Sequence, residues 1–338
     1  MTESSHSTLY PKITNHVREI VKRVQYGSKS DLLPIPIIGT VKLHGTHGDV
    51  LIHRDDSIVI QSRNTTNLTS AMDNCGFATS MLTKRTSLLQ LRDQYQARWR
   101  ELNSEKVLDS SIPVTIAGEW IGEKIQKGVA ISQLSKRFVI ISVKISGKWV
   151  PDMDYKDIES PYDDIYNISR GKFYHSILYP IDIQRTIDEL EPLADKVASQ
   201  CPFAESFGII GEGEGLVWKL LPYIEDSELW FKTKGGRFKP TFTPAPRIVT
   251  ENMTEKKEVA EAVALSWCSE DRLKQGWDYL KEKGFPQDIK GIKDYLRWVQ
   301  QDILFEEKGY ITEYKVDEKF LKGEIIRIAR PWFMKKLQ

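Results

Sequence analysis

Pro240-Thr241-Phe242-Thr243-Pro244-Ala245-Pro246 sets three prolines within seven residues. Each proline removes a backbone donor and clashes with a helical turn, and a central strand loses a ladder hydrogen bond at each, so neither element can run through this stretch. The chain is therefore expected to divide near residue 246. Before that point β-branched and aromatic runs are interleaved with helical ones, and after it only helical patterns follow. At 338 residues there is enough chain for two separate cores. The expected architecture is α+β, with antiparallel sheets flanked by helices over residues 1–246 and an all-helical domain over 247–338.

The apolar stripe Ile13, Val17, Ile20, Val21, Val24 predicts a first helix. Strands are expected at 35–42, 49–53 and 57–62, the last two joined through Arg54-Asp55-Asp56, and again at 114–121, 138–145, 215–220 and 228–234. Residues 80–102 and 186–200 read as helices, the second with Pro192 in a first turn or at a kink. The Asp-, Tyr- and Pro-rich stretch 151–180 reads as irregular. After the prolines, helices are expected at 255–267, 270–283, 289–307 and 317–328.

Composition removes several classes. Cys75, Cys201 and Cys268 are far apart and form no C-x-x-C pair, which excludes a disulfide framework and a cysteine-rich zinc site and fits a reducing, intracellular setting. Cytoplasm and nucleus are not distinguished. No run approaches ~18 apolar residues, so no membrane span is expected, and Met1-Thr2-Glu3-Ser4-Ser5-His6 lacks the layout of a secretory signal. A net charge of +1 argues against coating nucleic acid by bulk charge, although local basic clusters can still bind it.

Chemistry is concentrated in a few short strings. Lys42-Leu43-His44-Gly45-Thr46 ends an apolar strand-like run, where a lysine can act as an amine nucleophile once neutral, a form that cationic neighbours favour. Lys232 and Lys234 lie two apart on an expected strand and so share a face, as suits a phosphate; a solvated strand face is the competing reading. Glu214, between glycines at the mouth of a strand, can help hold Mg²⁺, or can simply belong to an acidic turn. Glu119 inside Ala117-Gly118-Glu119-Trp120-Ile121-Gly122 needs a partner, either a ribose hydroxyl or an internal arginine such as Arg63. Arg63 ends a strand where a guanidinium can grip phosphate or ribose. Phe138 can stack on a base or fill the core. A zinc site at His44, His47 and His53 is disfavoured by the intervening glycines and the lack of a fourth ligand.

The order lysine, arginine, glutamate, aromatic, glutamate, lysine pair resembles the covalent nucleotidyltransferase superfamily of polynucleotide ligases and capping enzymes, and within it RNA ligases of the phage RNA ligase 2 type. Lys42-Leu43-His44-Gly45-Thr46 is similar to their nucleotidyl-acceptor motif, Ser62-Arg63 to the second element, and Gly118-Glu119-Trp120-Ile121-Gly122 to the third. Phe138-Val139-Ile140 resembles the adenine-stacking strand, Glu214-Gly215-Leu216-Val217 the metal-associated motif, and Lys232-Thr233-Lys234 the terminal K-x-K.

The resemblance implies an ATP- and Mg²⁺- (or Mn²⁺-) dependent ligase in which Lys42 attacks the α-phosphorus of ATP and carries AMP. AMP then passes to the 5′-phosphate of RNA and is displaced by a 3′-hydroxyl. It implies nucleotide contacts at Val41 (through its backbone), His44, Gly45, Arg63, Glu119, Phe138, Lys232 and Lys234, with Glu214 at the metal. His47 stands where related ligases often carry asparagine, and its ring is the candidate substitute contact. The partner implied is RNA with 5′-phosphate and 3′-hydroxyl ends, with no membrane, and a monomer suffices. A capping-type guanylyltransferase and a non-catalytic RNA-end or nucleotide-binding protein of the same fold are the alternatives. The basic residues Lys315, Lys319, Lys322, Arg327 and Arg330, with Trp332 and Phe333 nearby, can track an RNA backbone or form a charged outer face with the aromatics docked inward.

Overall fold

The computed structural model describes residues 10–27, 33–239 and 253–338. Both the expected boundary at residue 246 and the six N-terminal residues read against a signal lie outside the described residues. Two compact units emerge: one holds the chain up to Ile13 and from Ile20 to Phe238, the other Thr14–Glu19 and the chain from Lys239. The helical unit thus recruits a short N-terminal segment that the linker argument left with the first domain.

The first unit carries helix α1 (Val17–Gly27) from Ile20 onward and ten strands among the described residues: β1 (Ile35–Lys42), β2 (Thr46–Ile52), β3 (Ile58–Ser62), β4 (Val114–Ile121), β5 (Arg137–Ile145), β6 (Lys148–Trp149), β7 (Ile165–Asn167), β8 (Phe173–Leu178), β9 (Gly215–Leu220) and β10 (Phe231–Lys234). Helices α2 (Phe77–Thr83), α3 (Arg85–Leu102), α4 (Ile183–Ser199) and the single-turn α5 (Pro202–Glu205) complete it.

One sheet runs β10-β9-β1-β8, entirely antiparallel. The other runs β3-β2-β4-β5-β6 antiparallel, with β7 added parallel to β5. Two strands therefore lie inside the stretch expected to be irregular. β8 was hidden because Phe173-Tyr174-His175-Ser176-Ile177-Leu178 has no clean alternation: it is a sheet edge, with Ile177 exposed and Leu178 buried.

Strand alternation decides what each sheet face does. On one face of the second sheet, Val50, Ile52, Ile116, Trp120, Phe138, Ile140 and Val143 pack under α2 and α3 through Phe77, Met81, Leu88, Leu91 and Tyr95. Gly48 and Gly118 belong to this face because a Cβ at either would stand 2.2 Å or 2.3 Å from a ring carbon of Phe77 or Phe138. α4 packs on the first sheet, burying Leu190, Ala194 and Val197 along a helix that continues through Pro192. Its start is capped by Asp182, whose carboxylate accepts from the Arg185 N–H at 3.1 Å.

The remaining sheet faces meet through buried polar groups and a small cluster of Tyr10, Ala117, Trp149 and Trp230. Lys219 of β9 donates to Ser142 Oγ of β5 (2.7 Å) and to both oxygens of Asp152 (2.8 and 2.6 Å), with its ammonium 4.1 Å from the Trp230 ring centroid. Both ions are buried, and burial pushes the Lys219 pKa down and the Asp152 pKa up, each opposed by the partner's charge. Tyr10 closes the same region, stacked on His47 at 4.5 Å and beside Trp149 and Trp230.

The second unit is helical: α6 (Met253–Trp267), α7 (Glu270–Glu282), α8 (Ile292–Glu306), α9 (Lys308–Glu313) and α10 (Glu318–Lys336). α10 starts on Asp317, whose side chain accepts from the Lys319 and Phe320 N–H groups, and runs on past Pro331, where the sequence reading stopped short. Arg272 is held between Asp302 (3.1 Å) and Glu307 (3.0 Å), a buried triad tying α7 to α8. Phe333 lies in this core, while Trp332 stacks on Tyr295 and donates to Glu270. The aromatics of the basic tail are therefore docked inward, and Arg327 is paired with Glu324 and Glu261. No described helix is long and apolar enough to cross a membrane.

Removing one member of a buried ion pair strands the other. Asp152→Ala is expected to cost about 3–5 kcal/mol in urea denaturation, whereas Asp152→Leu combined with Lys219→Met should recover much of that loss. Equal stability of the single and double variants would contradict the role assigned to the pair.

Candidate active site

Lys42 is the last residue of β1, opposite Gly215 of β9, and Gly215 is in turn opposite Lys234 of β10. Three adjacent strands thus put two lysines on one face, on either side of a residue with no side chain. Gly215 is required there: its φ is +153°, and a Cβ would lie 2.1 Å from the Thr233 carbonyl oxygen and 2.9 Å from Lys234 Cα. Lys232 and Thr40, opposite each other through Val217, continue the same face.

Glu214 is the hub. It is 2% exposed, and its two oxygens are divided between the lysines: Lys42 Nζ donates to Oε2 at 2.8 Å and Lys234 Nζ lies 3.0 Å from Oε1. His44 Nδ1 also reaches Oε2, at 3.2 Å. Burial opposes the carboxylate's charge, but Lys42, then Lys234 and His44, outweigh it and hold the pKa well below the usual value.

The turn after Lys42 carries the site to the other sheet. The Gly45 N–H donates to Glu119 Oε1 at 3.1 Å. A Cβ on Gly45 would stand 2.5 Å from the Trp120 carbonyl oxygen and 2.9 Å from Glu119 Cγ, so the glycine is what lets the turn lie against β4. The β1–β8 pairing ends at Thr40↔Phe173, one residue before Val41, while β1–β9 continues to Lys42. On the β8 side the backbone of Val41 and Lys42 therefore has no strand partner among the described residues. The Val41 side chain is buried against Gly171.

The structure thus brings together Lys42, His44, Gly45, Glu119, Glu214 and Lys234, with Lys232 on the same face and Arg63 exposed immediately after β3. One expectation needs correction. Phe138 is fully buried on the helix-covered face, against Phe77 and over Gly118. Strand parity is the reason: Glu119 pairs with Val139, so Val139 and not Phe138 shares its face. His47 lies opposite Glu119 in the β2–β4 pairing and so shares its face, with its Nε2 2.9 Å from Asp49 Oδ1 and its ring stacked on Tyr10. His44, His47 and His53 go to three different places, and among the described residues no group of three or more His, Cys, Asp and Glu could hold a metal.

Sequence reasoning passed over Lys219, Asp152 and Val139. A lysine in the apolar run Gly215–Leu220, at the parity of Gly215 and Val217, was the available signal for Lys219. Asp152 gave none, because its partner is remote in sequence.

Residues 35–234, more than half of the chain, match the RNA ligase family, and the chain belongs to it. The match is to the family as a whole. Among solved structures the chain is similar to a Naegleria gruberi RNA ligase variant with AMP and Mn (16% identity, 68% of this chain, 57% of that one, TM-score 0.43). It is likewise similar to the Naegleria gruberi RNA ligase with PPi (16%, 70% and 60%, TM-score 0.42) and to an archaeal ATP-dependent RNA ligase (12%, 97% and 64%, TM-score 0.38). The chain thus spans 57–64% of the length of these proteins. No curated protein matches it.

Two outcomes follow from the geometry. Because the folded-state pKa of Glu214 is depressed, its contribution to stability is complete above its ordinary value of 4.5 and is lost as pH falls through the lower folded value. The stability gap between wild type and Glu214→Gln should therefore shrink below about pH 4 in denaturant titrations; a gap constant with pH would contradict the ion cluster. Phe138→Leu should lower the denaturation midpoint without weakening ATP binding, since the ring is a core element.

Proposed function

We propose that this protein is an ATP-dependent RNA ligase, of the phage RNA ligase 2 type within its family, acting through a lysyl-AMP intermediate. The observation that carries the proposal is the sharing of one buried carboxylate, Glu214, between Lys42 and Lys234. A nucleophilic amine and a second cation are thereby fixed side by side, the arrangement that an in-line attack on a triphosphate needs.

Lys42 Nζ gives a proton to solvent, turns from Glu214 Oε2 and attacks the α-phosphorus; the P–N bond forms as the P–O bond to the β-phosphate breaks, pyrophosphate leaves, and the amine's second proton passes to solvent. Lys234 and Lys232 neutralise the charge that develops on the phosphate oxygens. Glu119, oriented by the Gly45 N–H, accepts from the ribose. The unpaired backbone edge at Val41 meets the adenine rim, and Val139 offers an apolar wall for the base in place of Phe138. In the second step an oxygen of an RNA 5′-phosphate attacks the same phosphorus, the P–N bond breaks and the Lys42 amine is restored. In the third, an RNA 3′-hydroxyl attacks the 5′-phosphate and AMP departs.

Both oxygens of Glu214 are engaged by lysines, and among the described residues no multi-carboxylate cage surrounds it. That donor set fits Mg²⁺ or Mn²⁺ held by one carboxylate together with substrate phosphates, not by the protein alone. The metal would supply charge neutralisation on the phosphates. Arg63, at the exposed end of β3, is placed for RNA or nucleotide phosphate, and the helical unit is assigned to RNA binding.

Incubation with [α-³²P]ATP and Mg²⁺ should leave acid-labile label on the wild-type protein and none on Lys42→Ala. Lys234→Ala should label at least ~10²-fold more slowly. Equal labelling of Lys42→Ala would end the proposal, and label from GTP but not ATP would redirect it to a guanylyltransferase.

A further inference from the structure

Arg137 opens β5, two residues before Val139 and on the same face of the strand, opposite Ile121. It is only 7% exposed. Its hydrogen bonds are local: Nε donates to the Ser135 carbonyl oxygen (3.0 Å) and Nη2 to Ser135 Oγ (2.7 Å). No carboxylate forms an ion pair with it among the described residues; Asp164 is near enough to favour its charge but not to pair, and burial works against that charge. A buried guanidinium in this condition is costly unless something answers it.

The surroundings make the imbalance sharper. The Arg137 guanidinium lies over the rings of Phe207 (4.4 Å) and Tyr166 (5.2 Å), and Arg170 lies over the same two rings (5.2 and 4.8 Å). Two guanidiniums thus share one aromatic platform and repel each other. Arg170 is neutralised by Glu159 through a two-pronged contact, Nε to Oε2 at 3.0 Å and Nη2 to Oε1 at 2.5 Å. Arg137 has no such partner, and its Nη1 donates to nothing among the described residues. The aromatic faces are already occupied by the arginines, so the platform offers a rigidly held, half-desolvated cation and not a free surface for a base.

We propose that Arg137 is a phosphate-binding residue, its guanidinium held on Phe207 and Tyr166 to complete its charge with a phosphate oxygen of a nucleic-acid substrate or of the nucleotide. A planar fork carried on aromatic rings is pre-organised for such a ligand, because little side-chain entropy is lost on contact. Only the source of the phosphate rests on the RNA-joining reading; the phosphate chemistry does not.

The test uses the full chain as wild type, Arg137→Gln and Arg137→Lys. Inorganic phosphate titrated into the wild-type protein should move the Arg137 Nε–H resonance, assigned by its loss in Arg137→Lys; an unmoved resonance overturns the proposal. Binding of a short 5′-phosphorylated single-stranded RNA without ATP should weaken on the order of tenfold in Arg137→Gln. Its log K against log salt slope should become shallower by about 0.7, one phosphate contact fewer. Arg137→Lys should keep most of the slope but lose affinity. If RNA binding is unchanged and the KM for ATP in Lys42 labelling rises instead, the phosphate is the nucleotide's. If neither moves in a folded Arg137→Gln protein, the guanidinium is a packing element and the inference is wrong. Failure of the ligase reading would show separately, as no label on Lys42 with the phosphate titration intact.

Discussion

The Lys42–Glu214–Lys234 contact is the interaction on which the site depends. One carboxylate, almost wholly withdrawn from water, is tolerable only because two ammoniums and an imidazole surround it. Those groups come from β1, β10 and the turn after β1, so the pairing of three strands is what assembles the cluster. The register is correspondingly unforgiving: a one-residue slip of β1 against β9 would turn Lys42 toward α4 and leave Glu214 without its nearest cation.

Two glycines make that register usable. Gly215 lets β10 close over β9 between the lysines, and Gly45 lets the turn after β1 lie against Trp120 so that its N–H reaches Glu119. The first glycine sets the spacing within one sheet, and the second links that sheet to its neighbour. Lys219 does the same work at greater depth, drawing β9 to Ser142 of β5 and to Asp152. The two sheets are thus joined by charged and polar contacts beside a small apolar cluster of Tyr10, Ala117, Trp149 and Trp230, while their larger apolar faces are turned outward to helices.

Much of this was legible in the sequence. The strand ending at Lys42, the strands 114–121 and 215–220 and the helices flanking them follow from apolar runs and turn residues, and the grouping of Lys42, Glu119, Glu214 and Lys234 follows from the order of the motifs. What could not be read was which way side chains point inside uniformly apolar strands. Arg137-Phe138-Val139-Ile140 is buried at every position, so no alternation marks Val139 and not Phe138 as the residue facing Glu119. His47 was similarly opaque, because its partners Asp49 and Tyr10 are chosen by the packing of the sheets and not by local pattern. Edge strand β8 lacked the apolar density that identifies a central strand, and α10 continues past a proline because packing of Phe333 and Ala329 outweighs one lost hydrogen bond.

Charge balance connects the fold to the chemistry proposed for it. Buried Lys219 is answered by Asp152 and buried Arg272 by Asp302 and Glu307, so these clusters are closed and serve structure. The Glu214 cluster is different, since it holds more positive than negative charge in contact and has Lys232 beside it on the same face. An excess of fixed cations around a single carboxylate is stable only at a cost, and a polyanion entering the cleft lowers that cost. In the proposed reaction Lys42 would give up its charge on joining a phosphoramidate, and Glu214 would retain Lys234 as its ion-pair partner while Oε2 was freed. Under that proposal the second lysine is what would let the first serve as a nucleophile without leaving a buried carboxylate stranded.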